Sequence, residues 1–183
     1  MQPTAYSRVT NPERFRALVV HALEVFDHLR RAYDVTESCI LEPLPGLLPS
    51  FEHARPPITL VPVLPGAASL GLAFTRFPGV IVRYGRWHAT SFPFCGCDAC
   101  DESVADEAAR LEDLACCVVA GFSEELRTPL FGDARLFIQF ECGDKEYQRS
   151  KRWTAVSRTV ARALGSGAAS VARWQPWPCR QGV

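Results

Sequence analysis

Three cysteines fall within six positions, in Phe92-Pro93-Phe94-Cys95-Gly96-Cys97-Asp98-Ala99-Cys100-Asp101-Glu102, and no other stretch of the 183-residue chain is so chemically concentrated. Three close thiols can bind a soft or borderline metal, run thiol–disulfide chemistry, or be buried as packing groups. Zinc needs ligands that converge to ~2.3 Å from one ion, with four donors in a tetrahedron. Cys97-x-x-Cys100 has zinc-knuckle spacing. Cys95-Gly96-Cys97 is tighter, and Gly96 lets that backbone fold back because glycine tolerates positive φ. His88, seven residues before Cys95, is the nearest histidine and completes a candidate set of Cys95, Cys97, Cys100 and His88. Cys142, Cys39, Asp98 and Asp101 are alternative fourth donors. Asp98 and Asp101 suit better the cap of a helix that starts at about Asp101. Cys100 would then sit at a helix start, where the dipole favours a thiolate.

The competing chemistry is redox or nucleophilic. Cys97 and Cys100 are the natural disulfide pair. Cys95 and Cys97 would lie ~7 Å apart in an extended chain, the limit for a bridge. The βαβ setting that makes Cys-x-x-Cys a persuasive redox motif is not evident. A cysteine nucleophile would want a positioned histidine with an orienting partner, and His88 is the one candidate close in sequence. Walker, G-x-G-x-x-G, H-E-x-x-H and G-x-S-x-G signatures are absent. The residues therefore favour a structural zinc site over catalysis.

The elements that must position this cluster read as follows. Asn11-Pro12-Glu13 predicts a helix start with Asn11 as cap and Pro12 in the first turn. Phe15, Leu18, Val19, Ala22, Val25, Phe26 and Leu29 recur at helical spacing to about Tyr33. Strands are predicted at Val35–Glu42, Ile58–Val63, Leu70–Phe77 and Val80–Trp87. Pro78-Gly79 turns between the last two as a type II pair, with Gly79 at positive φ. A second helix runs from Asp101 to about Ala120 and stops at Gly121. Cys116 and Cys117 within it read as small apolar fillers. After a loop come strands at Ala134–Cys142 and Lys145–Trp153, a short helix at Ser157–Leu164 and an extended end at Val171–Trp177. The order predicts one α+β domain over residues 1–183, an antiparallel or mixed sheet packed by two main helices.

Composition bounds the rest. Apolar residues make up 48% of the chain, enough for a core, and the formal charge is zero. No apolar run is long enough for a transmembrane helix, and the N-terminus has no signal-peptide pattern. A cytoplasmic location is expected, where eight cysteines serve as thiols or ligands rather than disulfides. Seven acids fall within residues 98–113 (Asp98, Asp101, Glu102, Asp106, Glu107, Glu112 and Asp113), whereas the tail from Lys145 holds eight bases against Glu146. These read as solvated or mutually paired faces rather than a nucleic-acid surface.

Several stretches together resemble one family. They are Val9-Thr10-Asn11-Pro12-Glu13-Arg14-Phe15, Phe77-Pro78-Gly79-Val80, the Phe92–Glu102 cysteine segment and Trp174-Gln175-Pro176-Trp177-Pro178. The chain is similar to an actinobacterial family of unknown function, DUF6226. The resemblance implies a small bacterial protein and carries no activity, substrate or catalytic residue. A partner-binding role, as an immunity or regulatory factor without metal, is the third alternative beside a structural zinc protein and a thiol enzyme.

Overall fold

The computed structural model describes residues 8–41, 55–128, 133–140, 152–156, 161 and 169–181. The elements run α1 (Arg16–Ala32), β1 (Val35–Ser38), β2 (Ile58–Pro62), β3 (Leu70–Phe74), β4 (Val80–Tyr84), β5 (His88–Phe92), α2 (Val104–Val119), β6 (Phe122–Arg127), β7 (Ala134–Phe140), β8 (Arg152–Val156) and β9 (Ala169–Trp174). The fold is α+β, as predicted. The strands divide between two antiparallel sheets, a meander β1-β2-β3-β4-β5 and a four-stranded β8-β7-β6-β9.

Pro12 opens a 3₁₀ turn at Pro12–Phe15 that leads into α1, but Asn11 makes no side-chain cap. Phe15, Leu18, Ala22, Phe26 and Leu29 form the buried stripe of α1 and face the five-stranded sheet. Each phenylalanine or leucine of the stripe contributes about 1.5–3 kcal/mol on full burial. From α2, Leu111, Leu114, Ala115 and Val118 join the same core. β3 is buried at every residue, and β4 is buried except at Arg83, as central strands with both faces covered should be.

Several boundaries differ from the sequence reading. β1 ends at Ser38, so Cys39 lies outside it and is exposed. The predicted strand Val80–Trp87 is shorter, because the chain turns at Gly85-Arg86-Trp87 and returns as β5. Gly79 is not at positive φ. A Cβ there would come within 2.6 Å of the Phe92 carbonyl oxygen, so close backbone approach, not turn conformation, requires glycine. α2 starts at Val104, with Ser103 accepting from the Ala105 and Asp106 N–H groups, so neither Asp98 nor Asp101 is its cap. Gly121, at φ +94°, ends the helix as predicted. Cys117 is a buried filler, whereas Cys116 is exposed. The predicted turn after Ala134–Cys142, most of the Lys145–Trp153 strand and all but Ala161 of the Ser157–Leu164 helix lie outside the described residues.

Besides β5, the sequence reading missed β6. It lies between β7 and β9, and its inward side chains are Phe122, Glu124 and Leu126. Phe122 and Phe140 pack with Tyr84 of the first sheet at centroid distances of 6.0 and 6.3 Å, joining the two sheets in one core. Glu124 is 1% exposed. Its carboxylate accepts the Arg86 N–H at 2.7 Å, the Trp87 N–H at 3.3 Å and the Trp174 Nε1–H at 2.8 Å. A Cβ on Gly85 would strike that carboxylate at 2.8 Å, so glycine at φ +60° is what admits it.

The chain beyond β9 ties distant elements together. Gln175 N–H donates to Gly66, Trp177 N–H to Val119, and Arg180 N–H to Ala32, while Pro178 accepts from the Asp34 N–H. Trp177 is buried and its Nε1–H donates to the Ala68 carbonyl at 2.8 Å. No helix among the described residues is long and apolar enough to cross a membrane.

Candidate metal centre

The cysteine segment joins the end of β5 to the start of α2. The chain leaves β5 through a cis Phe92–Pro93 peptide and folds back at Gly96, whose φ is +75°. This is the positive φ that the Cys95-Gly96-Cys97 spacing predicts. Cys100 N–H donates to the Cys97 carbonyl at 3.2 Å, closing the Cys-x-x-Cys turn. Asp101 follows at φ 44°, a left-handed conformation that aspartate adopts more readily than most residues.

Two carboxylates brace the loop. Glu102 accepts from the backbone N–H groups of Cys95, at 3.0 Å, and Gly96, at 2.8 Å. Asp98 reaches back to the N-terminal segment and accepts from the Thr10 N–H, the Thr10 hydroxyl and Arg8 Nε. The Thr10 N–H is the largest of the contacts that hold the Asp98 carboxyl below its ordinary value. The acids of this segment thus act as loop braces and not as helix caps.

The bracing brings the three sulfurs together. Cys95 Sγ lies 3.2 Å from Cys97 Sγ, and Cys97 Sγ lies 3.4 Å from Cys100 Sγ. All three ligand atoms fall within 4.8 Å of one another, a group that could hold a metal ion. Tetrahedral ligation at ~2.3 Å spaces sulfurs by ~3.8 Å, so an ion would need these two pairs to spread by about half an ångström. Cys97 is 3% exposed, while Cys95 and Cys100 are exposed.

The electrostatics single out Cys97. The hydrogen bond from the Cys95 thiol holds its pKa below the usual value of 9.0, and contacts from the Cys100 and Ala99 backbone add to this against burial. Cys100 is pushed up to about 12, first by its hydrogen bond to Cys97 and next by Cys95. Cys97 thus shares hydrogen bonds with both neighbouring sulfurs. A metal ion would take the place of both shared protons, since ligating sulfurs must be deprotonated. The helix dipole expected at Cys100 plays little part, because α2 begins four residues later, at Val104.

His88 does not converge with the sulfurs. It opens β5, whereas the cysteines follow its far end, and five residues of strand separate the two by about 13 Å. His88 instead stacks on Tyr84, with centroids 5.6 Å apart, and its Nε2 lies 3.6 Å from Glu124. Cys39, Asp98 and Asp101 are likewise outside the sulfur group, and Cys142 lies outside the described residues. Among the described residues, three cysteines are the whole ligand set.

The family model for a family of unknown function, DUF6226, matches residues 1–181. The chain belongs to DUF6226. No curated protein and no solved structure matches it. The match spans the cysteine segment, the Gly85–Glu124 contact and the C-terminal tail of this DUF6226 chain alike, and brings no activity to any of them.

Gly96 is the residue on which the convergence turns. A Cβ there would lie 2.8 Å from the Phe77 ring. Gly96→Ala is expected to cost about 1–2 kcal/mol from positive φ alone, and to spread the sulfurs. Urea unfolding of the variant beside the wild type measures the first effect. A variant as stable as the parent would mean that the loop reaches the same shape by another route.

Proposed function

We propose that Cys95, Cys97 and Cys100 bind a zinc ion as a structural clasp between β5 and α2, and that the protein is not an enzyme. The convergence of three sulfurs in a loop braced by Glu102 and Asp98 supports this reading. The ion would supply rigidity, fixing the 93–103 connection in place of shared protons. Three thiolates more than neutralise a divalent cation, which makes the ion a poor Lewis acid and argues for structure over hydrolysis. Free thiols suit a reducing compartment, so we place the protein in the cytoplasm, as a single domain.

Elemental analysis of the purified full chain tests the clasp. Near-stoichiometric zinc that survives dialysis is expected, and its loss in Cys97→Ser. Cys97 is the variant to use because its sulfur lies within 3.4 Å of both of the others. A wild-type protein that retains no zinc sinks the reading. If such a protein also shows a fast-reacting thiol at neutral pH, the short Cys97–Cys100 separation points instead to thiol–disulfide chemistry at that pair.

A further inference from the structure

A cleft of about 440 Å³ opens beside the cysteine loop, and Cys95 is part of its wall. Phe77 and Phe94 are its partly or fully exposed apolar lining residues, and Arg76 lines it too. Phe94 is 71% exposed, an unusual position for a phenylalanine directly before a candidate ligand. The volume lies within the range of small-molecule sites.

We propose that the metal ion keeps one coordination position open toward this cleft, and that a low-molecular-weight thiol with an apolar body supplies the fourth donor. The inference rests on the metal reading above. Four observations carry it. Zinc-type ions take four donors, and the described residues provide three. Two of the three cysteines are exposed, and one of them, Cys95, lines the cleft. An ion already held by three thiolates favours a soft fourth ligand. A fourth thiolate also raises the negative charge of the centre, and Arg76 is among the residues that line the same cleft. In the binding step the thiol displaces a coordinated water and releases its proton to solvent; the metal–sulfur bond forms and no electrons change hands.

Cobalt substitution of the full-length protein tests it, since sulfur-to-cobalt charge-transfer absorption scales with the number of Co–S bonds. Phenylmethanethiol is expected to raise that absorption saturably by about one third, the step from three bonds to four. Imidazole is expected to leave the charge-transfer band unchanged. Phe94→Ala, a change at an exposed position, should weaken the phenylmethanethiol midpoint about fivefold while leaving cobalt uptake intact. Cobalt bound with no response to the thiol overturns the inference and spares the metal reading. So does a four-thiolate spectrum before any thiol is added that falls by a quarter in Cys142→Ser, because the chain would then supply its own fourth ligand. A protein that takes up no cobalt overturns both.

Discussion

Glu124→Ala is expected to destabilise the protein by about 3–5 kcal/mol, the sum of leaving several buried donors without an acceptor. The Arg86 and Trp87 N–H groups and the Trp174 indole N–H all end on this one carboxylate. The first two belong to the β4–β5 turn of one sheet, and Trp174 ends β9 of the other. Removing the side chain therefore unties the sheets where they meet, and leaves a void against Gly85. Glu124→Gln keeps the shape and one acceptor oxygen, and is expected to lose less than half as much. Urea unfolding of the three proteins side by side measures the series. A loss below about 1 kcal/mol for Glu124→Ala would mean that water reaches those N–H groups and that the carboxylate is not their essential partner.

The second large effect is a pH dependence carried by His88. Burial holds this imidazole down from 6.5 to about 4, against an opposing hydrogen bond to the Phe137 backbone. Its folded value is depressed, so the stability linked to the neutral ring is fully present above pH 6.5 and is lost as pH falls toward 4. The loss amounts to about 3 kcal/mol over that window. The facing carboxylate moves the other way. Burial raises the pKa of Glu124, against hydrogen bonds from Arg86, Trp174 and Trp87. Its contribution is fully present below the ordinary carboxylate value of 4.5 and is lost as pH rises through the raised value. His88 Nε2 is buried without a hydrogen-bond partner and lies 3.6 Å from Glu124 Oε2, beyond hydrogen-bond reach. His88→Phe preserves the stack on Tyr84 and removes the titration. Between pH 6.5 and 4 the wild type should lose about 3 kcal/mol more than this variant. Parallel stability curves for the two proteins would exclude His88 as the source.

The buried pair also shows why parts of the fold escaped sequence reading. Ser123-Glu124-Glu125 looks like a solvated acidic loop, because carboxylates are rarely buried. The available signal was alternation: Phe122, Glu124 and Leu126 share one face of a strand, with large apolar residues two positions either side of the acid. Similarly, Val80–Trp87 has continuous β-formers. β4 ends at the Gly85 turn, whose Arg86 and Trp87 N–H groups the distant Glu124 carboxylate holds. β7 shows the converse. Its Ala134, Leu136, Ile138 and Phe140 alternate cleanly with exposed or half-buried neighbours in the structure, although Phe137 blurs the pattern in sequence.

The sequence by itself determined the features that depend on near neighbours. The α1 stripe from Phe15 to Leu29, the stop of α2 at Gly121, the fold-back at Gly96 and the meeting of Cys95, Cys97 and Cys100 all follow from periodicity, glycine conformation and short spacing. The tertiary structure alone decided what depends on distant partners. It split the strands into two sheets, gave the helix cap to Ser103 while Asp98 reached Thr10, and carried His88 away from the sulfurs to Glu124. The physical reason is the rise of an extended strand. Seven residues along a chain look close, but the strand that begins at His88 carries the cysteines about 13 Å down its length before Gly96 turns them together.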